Sequence, residues 1–271
     1  MKYAICNELF AGWEFGRVCR AVRELGYAGL EVAPFTLAPL VTDISAACRA
    51  ELRRQAAEAG IELLGLHWLL AKTEGFSITS PDADVRQRTA DYLGELARCC
   101  RDLGGSLLVL GSPAARKIPP GFGKADAIAL AADTIGRMTS VLDETAVVLA
   151  VEPLAPTETD FLQTADEAVE LLDRIAHPRV RLHLDVKAMA AEALPIPAVI
   201  RRHAARTAHF HANDPNLRGP GMGAVRFEPI FAALRETGYS GWVSVEVFDF
   251  APDPVTIARD SIDYMRRCTA G

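Results

Sequence analysis

Apolar residues along the chain fall into two alternating rhythms. Short runs rich in aliphatic and β-branched residues with period-two alternation read as strands. They are "YAICNEL" (3–9), "GLEVAPF" (29–35), "ELLGLHW" (62–68), "SLLVLGS" (106–112), "VVLAVEP" (147–153), "VRLHLDV" (180–186), "TAHFHAN" (207–213) and "WVSVEVF" (242–248). Between them lie segments rich in Ala, Leu, Glu and Arg with helical spacing, near 14–25, 44–59, 82–103, 124–144, 164–176, 197–205, 227–237 and 253–268. Several open on a capping signature, such as "SPDAD" or "TADEA". Eight strand–helix pairs in 271 residues make about 34 residues per unit, the size of one βα repeat. The pattern predicts an α/β chain forming a (β/α)8 TIM barrel, one domain over 1–271 with no linker or composition break. A doubly wound dinucleotide fold would carry GxGxxG after its first strand, and "FAGWEFG" has the wrong spacing. The stretches "ELGYAGLEV" and "ETGYSGWVSVEV" repeat one helix–glycine–strand delivery near the two ends of the chain, as a repeated unit would.

In such a barrel, side chains along a strand alternate between the axis and the helix layer, and chemistry gathers at the C-terminal strand ends. In "VVLAVEP", Val147, Leu149 and Val151 form the apolar set for the helices, which leaves Val148, Ala150 and Glu152 facing inward. "LHLDVKAM" behaves alike: Leu182, Leu184 and Val186 take one parity, His183 and Asp185 the other. The same parity turns His211 and Glu246 inward. The steps from Glu152 to Asp185, His211 and Glu246 are 33, 26 and 35 residues, one unit each, so four consecutive strands deliver one ligand-type residue apiece. Singly, each has an ordinary reading: a strand-end Glu caps a loop, and His183 or His209 is a hydrogen-bonded core histidine. Jointly, three carboxylates this close cannot all stay ionised without a counter-charge. One divalent cation leaves the cluster at about −1 with open positions for a substrate. Oxygen-rich ligation with one imidazole suits Mn2+ first, with Mg2+ or Co2+ as alternatives.

Composition narrows the partners. Half of the residues are hydrophobic, enough for one large core. A net charge of −6 and a pI near 5.6, with no basic run, argue against nucleic acid as a partner. The six cysteines show neither a CxxC pair nor framework spacing, which predicts reduced thiols in a cytoplasmic compartment and no cysteine metal site. "MKYAICNELF" lacks the apolar core of a signal peptide, and no apolar run has membrane-spanning length, so no membrane partner is expected.

Four stretches, "VEPLAPTETDFLQT" (151–164), "HLDVKAM" (183–189), "HFHANDPNLRGPGMG" (209–223) and "GWVSVEVF" (241–248), resemble the xylose-isomerase-like sugar isomerase/epimerase superfamily, and within it the ketose 3-epimerases of the tagatose 3-epimerase type. The resemblance covers nearly the whole chain. It implies that Glu152, Asp185, His211 and Glu246 bind one divalent metal and that Glu152 and Glu246 double as acid/base catalysts. It also implies a small-molecule sugar substrate and assembly as a homodimer or homotetramer. The chemistry fits the residues on its own terms. Removing a proton beside a carbonyl needs a base on one face, a Lewis acid at the oxygen and, for inversion, an acid on the other face. Glu152 and Glu246 arise three strands apart, so each addresses one face of a ketose passing through a metal-bound cis-enediolate.

Further residues carry two readings each. Glu158 matches a family position that hydrogen-bonds the sugar, or is an acid at a helix N-terminus. Arg218 in "NLRGPG" resembles a substrate-contacting arginine, or is a loop arginine. His67 and Trp68 line a sugar pocket or belong to the core. Glu31 binds substrate or braces the metal from behind. Arg116 and Lys117 read as a solvated loop before they read as receptors for a substrate phosphate or carboxylate. The family's histidine three residues after the metal-binding Asp is Ala188 here, and "LAPTE" replaces an Asn- and Arg-rich stretch. Lys187 then holds a sugar oxygen or shuttles a proton, or neutralises an acid. These departures keep a lyase or dehydratase on the same metal site as the alternative to an epimerase or isomerase. An endonuclease-IV-like repair enzyme needs more histidines and a positive face, and a non-catalytic barrel subunit needs only the metal.

Overall fold

A computed structural model describes residues 1–269 of the chain. Eight parallel strands close into a barrel in sequence order: β1 (Lys2–Cys6), β2 (Gly29–Val32), β3 (Glu62–Leu66), β4 (Leu107–Leu110), β5 (Val148–Val151), β6 (Val180–Asp185), β7 (Thr207–Ala212) and β8 (Trp242–Val245). The outer layer comprises α1 (Phe15–Glu24), α2 (Ala46–Ala59), α3 (Ala83–Leu103), α4 (Lys124–Gly136), α5 (Thr139–Thr145), α6 (Ala165–Ile175), α7 (Val186–Met189), α8 (Ile196–His203), α9 (Glu228–Glu236) and α10 (Pro254–Thr269). Among the described residues no helix is long and apolar enough to cross a membrane.

The expected barrel is therefore present, with two local differences. The segment expected as one helix over 124–144 is broken between Gly136 and Thr139 into α4 and α5. A short helix not expected from periodicity, α7, follows β6 because the Asp185 side chain accepts from Ala188 N at 2.8 Å and starts the turn. The helices are set by their caps: Ser45 accepts from Cys48 N, Thr164 from Glu167 N, and Gly60 and Gly104 end α2 and α3 in the left-handed region.

Strand parity fixes what faces the axis. Leu149, Val151, Leu182, Leu184 and Val186 join the large apolar layer between sheet and helices. Leu107, Val109 and Ala150, with Val148 against them, form a separate small cluster. Across the barrel the buried interior carries Glu31, His183, His209, His211 and Ser244 instead of aliphatic side chains. A barrel interior is ordinarily filled by branched apolar residues, so this polar floor marks where the fold gives up packing for chemistry. Close packing elsewhere is tight: a Cβ on Gly65 of β3 would collide with the Leu107 carbonyl of β4. Gly65→Ala is accordingly expected to lower unfolding free energy by about 1–3 kcal/mol, read from denaturant midpoints.

Candidate metal centre

Asp185 and His211 are register partners on β6 and β7, so the sheet itself places them side by side. Both Asp185 oxygens are fixed, Oδ1 by Ala188 N and Oδ2 by Asn213 Nδ2 at 2.5 Å. Asn213 is held in turn, its Oδ1 accepting from Lys187 N at 2.8 Å. His211 Nε2 lies 3.1 and 3.2 Å from the two oxygens of Glu31, a buried carboxylate that also takes His209 Nε2 at 2.8 Å. The other nitrogen, His211 Nδ1, is buried without a hydrogen-bond partner and stands 3.3 Å from Glu246 Oε2. An imidazole with one nitrogen on a carboxylate and the other unpaired and facing an acid is placed to ligate a cation once that second nitrogen gives up its proton. Glu246 is aimed by Trp68, whose Nε1 donates to Oε1 at 2.7 Å.

Glu152 approaches from β5. Its carboxylate rests against Gly111, where a Cβ would collide with Oε2. Its backbone carbonyl accepts from Arg116 Nη1 at 2.6 Å, and Arg116 Nη2 donates to the Leu110 carbonyl on the neighbouring strand end. One donor atom from each of Glu152, His183, Asp185 and His211 lies within 4.8 Å of the others. Glu246 closes the ring through His211. The four expected ligand residues therefore converge, with His183 as a fifth buried donor. His183 differs from the core histidine expected of it, since neither ring nitrogen has a hydrogen bond; Nε2 lies 3.9 Å from Glu152 Oε1.

The charges explain what this cluster asks for. Burial, then Glu246 and Asp185, push the Glu152 carboxyl well above the usual carboxylate range. Burial and Glu246 push Asp185 up to about 6. Burial also opposes ionised Glu246, but His211 beside it holds that carboxyl below its ordinary value. For His211, burial disfavours the cation, while Glu31 and Glu246 more than offset it and raise its value. Acids that retain protons because they are buried and crowd one another, next to an orphaned imidazole nitrogen, fit a divalent cation. Two measurements follow. Asp185 has a folded-state value above the 3.8 of a free Asp, so without metal the fold loses stability as pH rises from there through about 6. A bound cation reverses that loss, so the thermal shift produced by MnCl2 is expected to be large at pH 8 and small at pH 5. Glu31→Gln, which weakens the grip on His211, is expected to reduce Mn2+ affinity about 10–100-fold by calorimetry.

Above the cluster a cavity of about 410 Å3 opens, lined by Trp68, Leu154, Glu158, Lys187, Phe248 and the two acids Glu152 and Glu246, among others. Trp68 and Phe248 stack at 5.8 Å with a 22° interplanar angle. Glu158 lies in the loop between β5 and α6, away from any helix N-terminus, and accepts from Lys187 Nζ at 2.7 Å. Lys187 is nearly buried, and although burial opposes its charge, Asp185 and Glu158 hold the ammonium above its usual value.

Three expected placements are corrected. His67 is fully buried, its Nε2 at 2.8 Å from Glu8 Oε2, and does not join the lining. Arg218 is absent from the lining too; its Nη2 donates to the Ala251 carbonyl at 2.9 Å and its Nε faces Asp249. Arg116 is neither solvated nor free for a substrate anion, being 1 % exposed and spent on two carbonyls; Lys117 beside it is exposed. Glu31 braces His209 and His211 and is inaccessible to substrate. Sequence reasoning missed Asn213, Gly111 and Phe248. Asn213 shares the inward parity of His211 two residues earlier, which was a usable signal; Gly111, against Glu152 on the neighbouring strand end, and Phe248, stacked on Trp68, act through spatial contacts that no one-dimensional pattern carries.

Comparison with known proteins agrees with this fold. The family model described as xylose isomerase-like TIM barrel matches residues 19–268. A D-psicose 3-epimerase from Enterocloster bolteae is 26% identical over 258 residues, covering 92% of this chain and 82% of that one. Among solved structures, a D-psicose 3-epimerase determined in the presence of D-fructose superposes with a TM-score of 0.87 at 24% identity, covering 100% of both chains. A 3-keto-D-glucoside 4-epimerase from E. coli gives a TM-score of 0.85 at 21% identity, covering 99% of this chain and 100% of that one.

Proposed function

Because the chain belongs to the xylose isomerase-like TIM barrel family, we propose that it is a divalent-metal-dependent epimerase of a ketose or keto-sugar, with Glu152 and Glu246 as its acid/base pair. The observation that carries this reading is the placement of those two carboxylates on strands three apart, β5 and β8, both lining one cavity above Asp185 and His211. Relatives named as D-psicose and ketose 3-epimerases support the choice among reactions of this fold.

A divalent cation, Mn2+ by the donor set, would be held by Glu152, Asp185, His211 and Glu246 and would polarise the substrate's carbonyl and neighbouring hydroxyl. The remaining work belongs to the chain. One glutamate takes the proton from the carbon beside the carbonyl, and the electron pair of that C–H bond moves to the carbonyl oxygen to give an enediolate. The other glutamate returns a proton to the opposite face, inverting the carbon, and exchange with water resets the pair. Trp68 fixes the angle of Glu246 and Arg116 fixes the strand end that carries Glu152, so both carboxylates stay aligned without reorganisation. Glu158 and Lys187 offer an acceptor and a donor to sugar hydroxyls. Trp68 and Phe248 exclude water from the reacting carbons.

The test is a panel of ketoses and keto-glycosides incubated with the Mn2+-loaded protein in D2O. Epimer pairs carrying one solvent deuteron at the inverted carbon are expected. An unsaturated or deoxy product would replace this reading with the lyase, which needs the same base but lets the enediolate expel a β-oxygen. Absence of any exchange across the panel would remove both.

A further inference from the structure

Beside the centre just described lies a second set of donors. Cys6 ends β1, Glu8 sits in the turn that follows, His67 follows β3 and Glu246 follows β8. One donor atom from each lies within 4.8 Å of the others, and all of these residues are buried. The group is not closed by its own hydrogen bonds. Glu8 Oε1 and His67 Nδ1 are buried without partners. His67 Nε2 lies 2.8 Å from Glu8 Oε2, and its Nδ1 faces Glu31 Oε1 at 3.8 Å. Cys6 Sγ lies 3.7 Å from Ser244 Oγ.

We propose that Cys6, Glu8, His67 and Glu246 form a second cation site, selective for zinc or cobalt(II) over manganese. The donor chemistry decides the metal: a thiolate with an imidazole and carboxylates suits a borderline-soft ion that accepts four ligands, whereas the hard, oxygen-rich set beside it suits Mn2+. Thiolate and two carboxylates supply three negative charges, and one of them is shared. Glu246 turns Oε2 toward His211 at 3.3 Å, so its carboxylate bridges the two sites. Glu31 stands behind both imidazoles, facing His67 Nδ1 and His211 Nε2, as a carboxylate that would orient each ring toward its own ion. Binding breaks the Cys6 S–H bond and releases that proton to the buffer; the sulfur lone pair forms the bond to the cation, with no change of oxidation state. Cysteine spacing along the chain does not reveal this site, because it holds a single thiol and two of its donors come from other strands, β3 and the adjacent β8.

A zinc ion here ties up Glu246, so zinc is an inhibitor of the manganese-loaded protein. That consequence rests on the acid/base role proposed for Glu246, whereas the site itself does not.

Titration of Co2+ into the metal-free protein separates the two readings. Two equivalents are expected, with a near-ultraviolet thiolate-to-cobalt charge-transfer band attending one of them. Cys6→Ser and Cys6→Ala are expected to lose the band and one equivalent while keeping the other and the native far-ultraviolet circular dichroism. Glu8→Gln is expected to weaken the band-bearing equivalent at least about tenfold. Asp185→Asn is expected to keep the band and lose the other equivalent. One equivalent without a band overturns the second site and leaves the first intact, as does a band that survives both Cys6 variants. No binding at all would contradict both sites. Added Zn2+ is expected to cut turnover of the Mn2+-loaded protein at least about tenfold and to spare Cys6→Ser.

Discussion

Glu246→Gln is expected to lower kcat by about 10^3–10^4-fold at saturating Mn2+, with Glu152→Gln in the same range. Each change keeps the shape of the side chain and one potential oxygen ligand but removes the proton acceptor. The two effects should not multiply: the double variant is expected near the level of the worse single one, because a reaction that needs a proton taken and returned fails once either step is lost. The half-reactions separate the roles. A variant that lacks only the reprotonating acid still exchanges the substrate's proton with solvent without inverting it, and the other variant shows neither exchange nor inversion. Magnetic resonance of the recovered ketose in D2O reads this directly. Loss of less than about tenfold in either variant would remove that residue from the acid/base pair.

Stripping the protein with a chelator is expected to abolish turnover and to leave it folded but less stable. The acids at the barrel mouth are the reason. With Glu152 raised well above the usual range and Asp185 at about 6, the metal-free cluster retains protons that an ion would displace. A ligand present at a thousand times its dissociation constant stabilises the native state by about 4 kcal/mol. For a chain of this size that converts to a rise in Tm of roughly 8–16 °C. Scanning calorimetry of stripped and Mn2+-loaded protein at pH 8 measures it, and restoration of turnover by Mn2+ shows that the loss was not unfolding. Full activity in the stripped protein would contradict the account.

Much of this architecture was legible in the chain because barrels impose strong periodicities. Period-two parity in "VVLAVEP" and "LHLDVKAM" separated Leu149 and Leu182, which pack on helices, from Glu152 and Asp185, which face the axis. The helix over 82–103 announced itself through Asp82 and Gly104, which do cap it. What parity could not supply is depth along the axis. His67 and Trp68 are adjacent, yet Trp68, at φ 53°, lines the cavity while His67 is buried against Glu8. Nor does sequence reveal how far a flexible side chain travels. Arg116 reads as a loop cation, but its guanidinium folds inward to bridge two strand-end carbonyls, those of Leu110 and Glu152. Arg218, which resembles a substrate contact, is drawn instead to Ala251 and Asp249 at the rim.

The most direct test of the whole account is an anomalous-difference map from crystals loaded with Mn2+ alone. A single strong peak in bonding contact with Glu152, Asp185, His211 and Glu246, at roughly 2.0–2.3 Å from each donor, is the expected result. A peak touching fewer than three of them, or no peak at the barrel mouth, would contradict it.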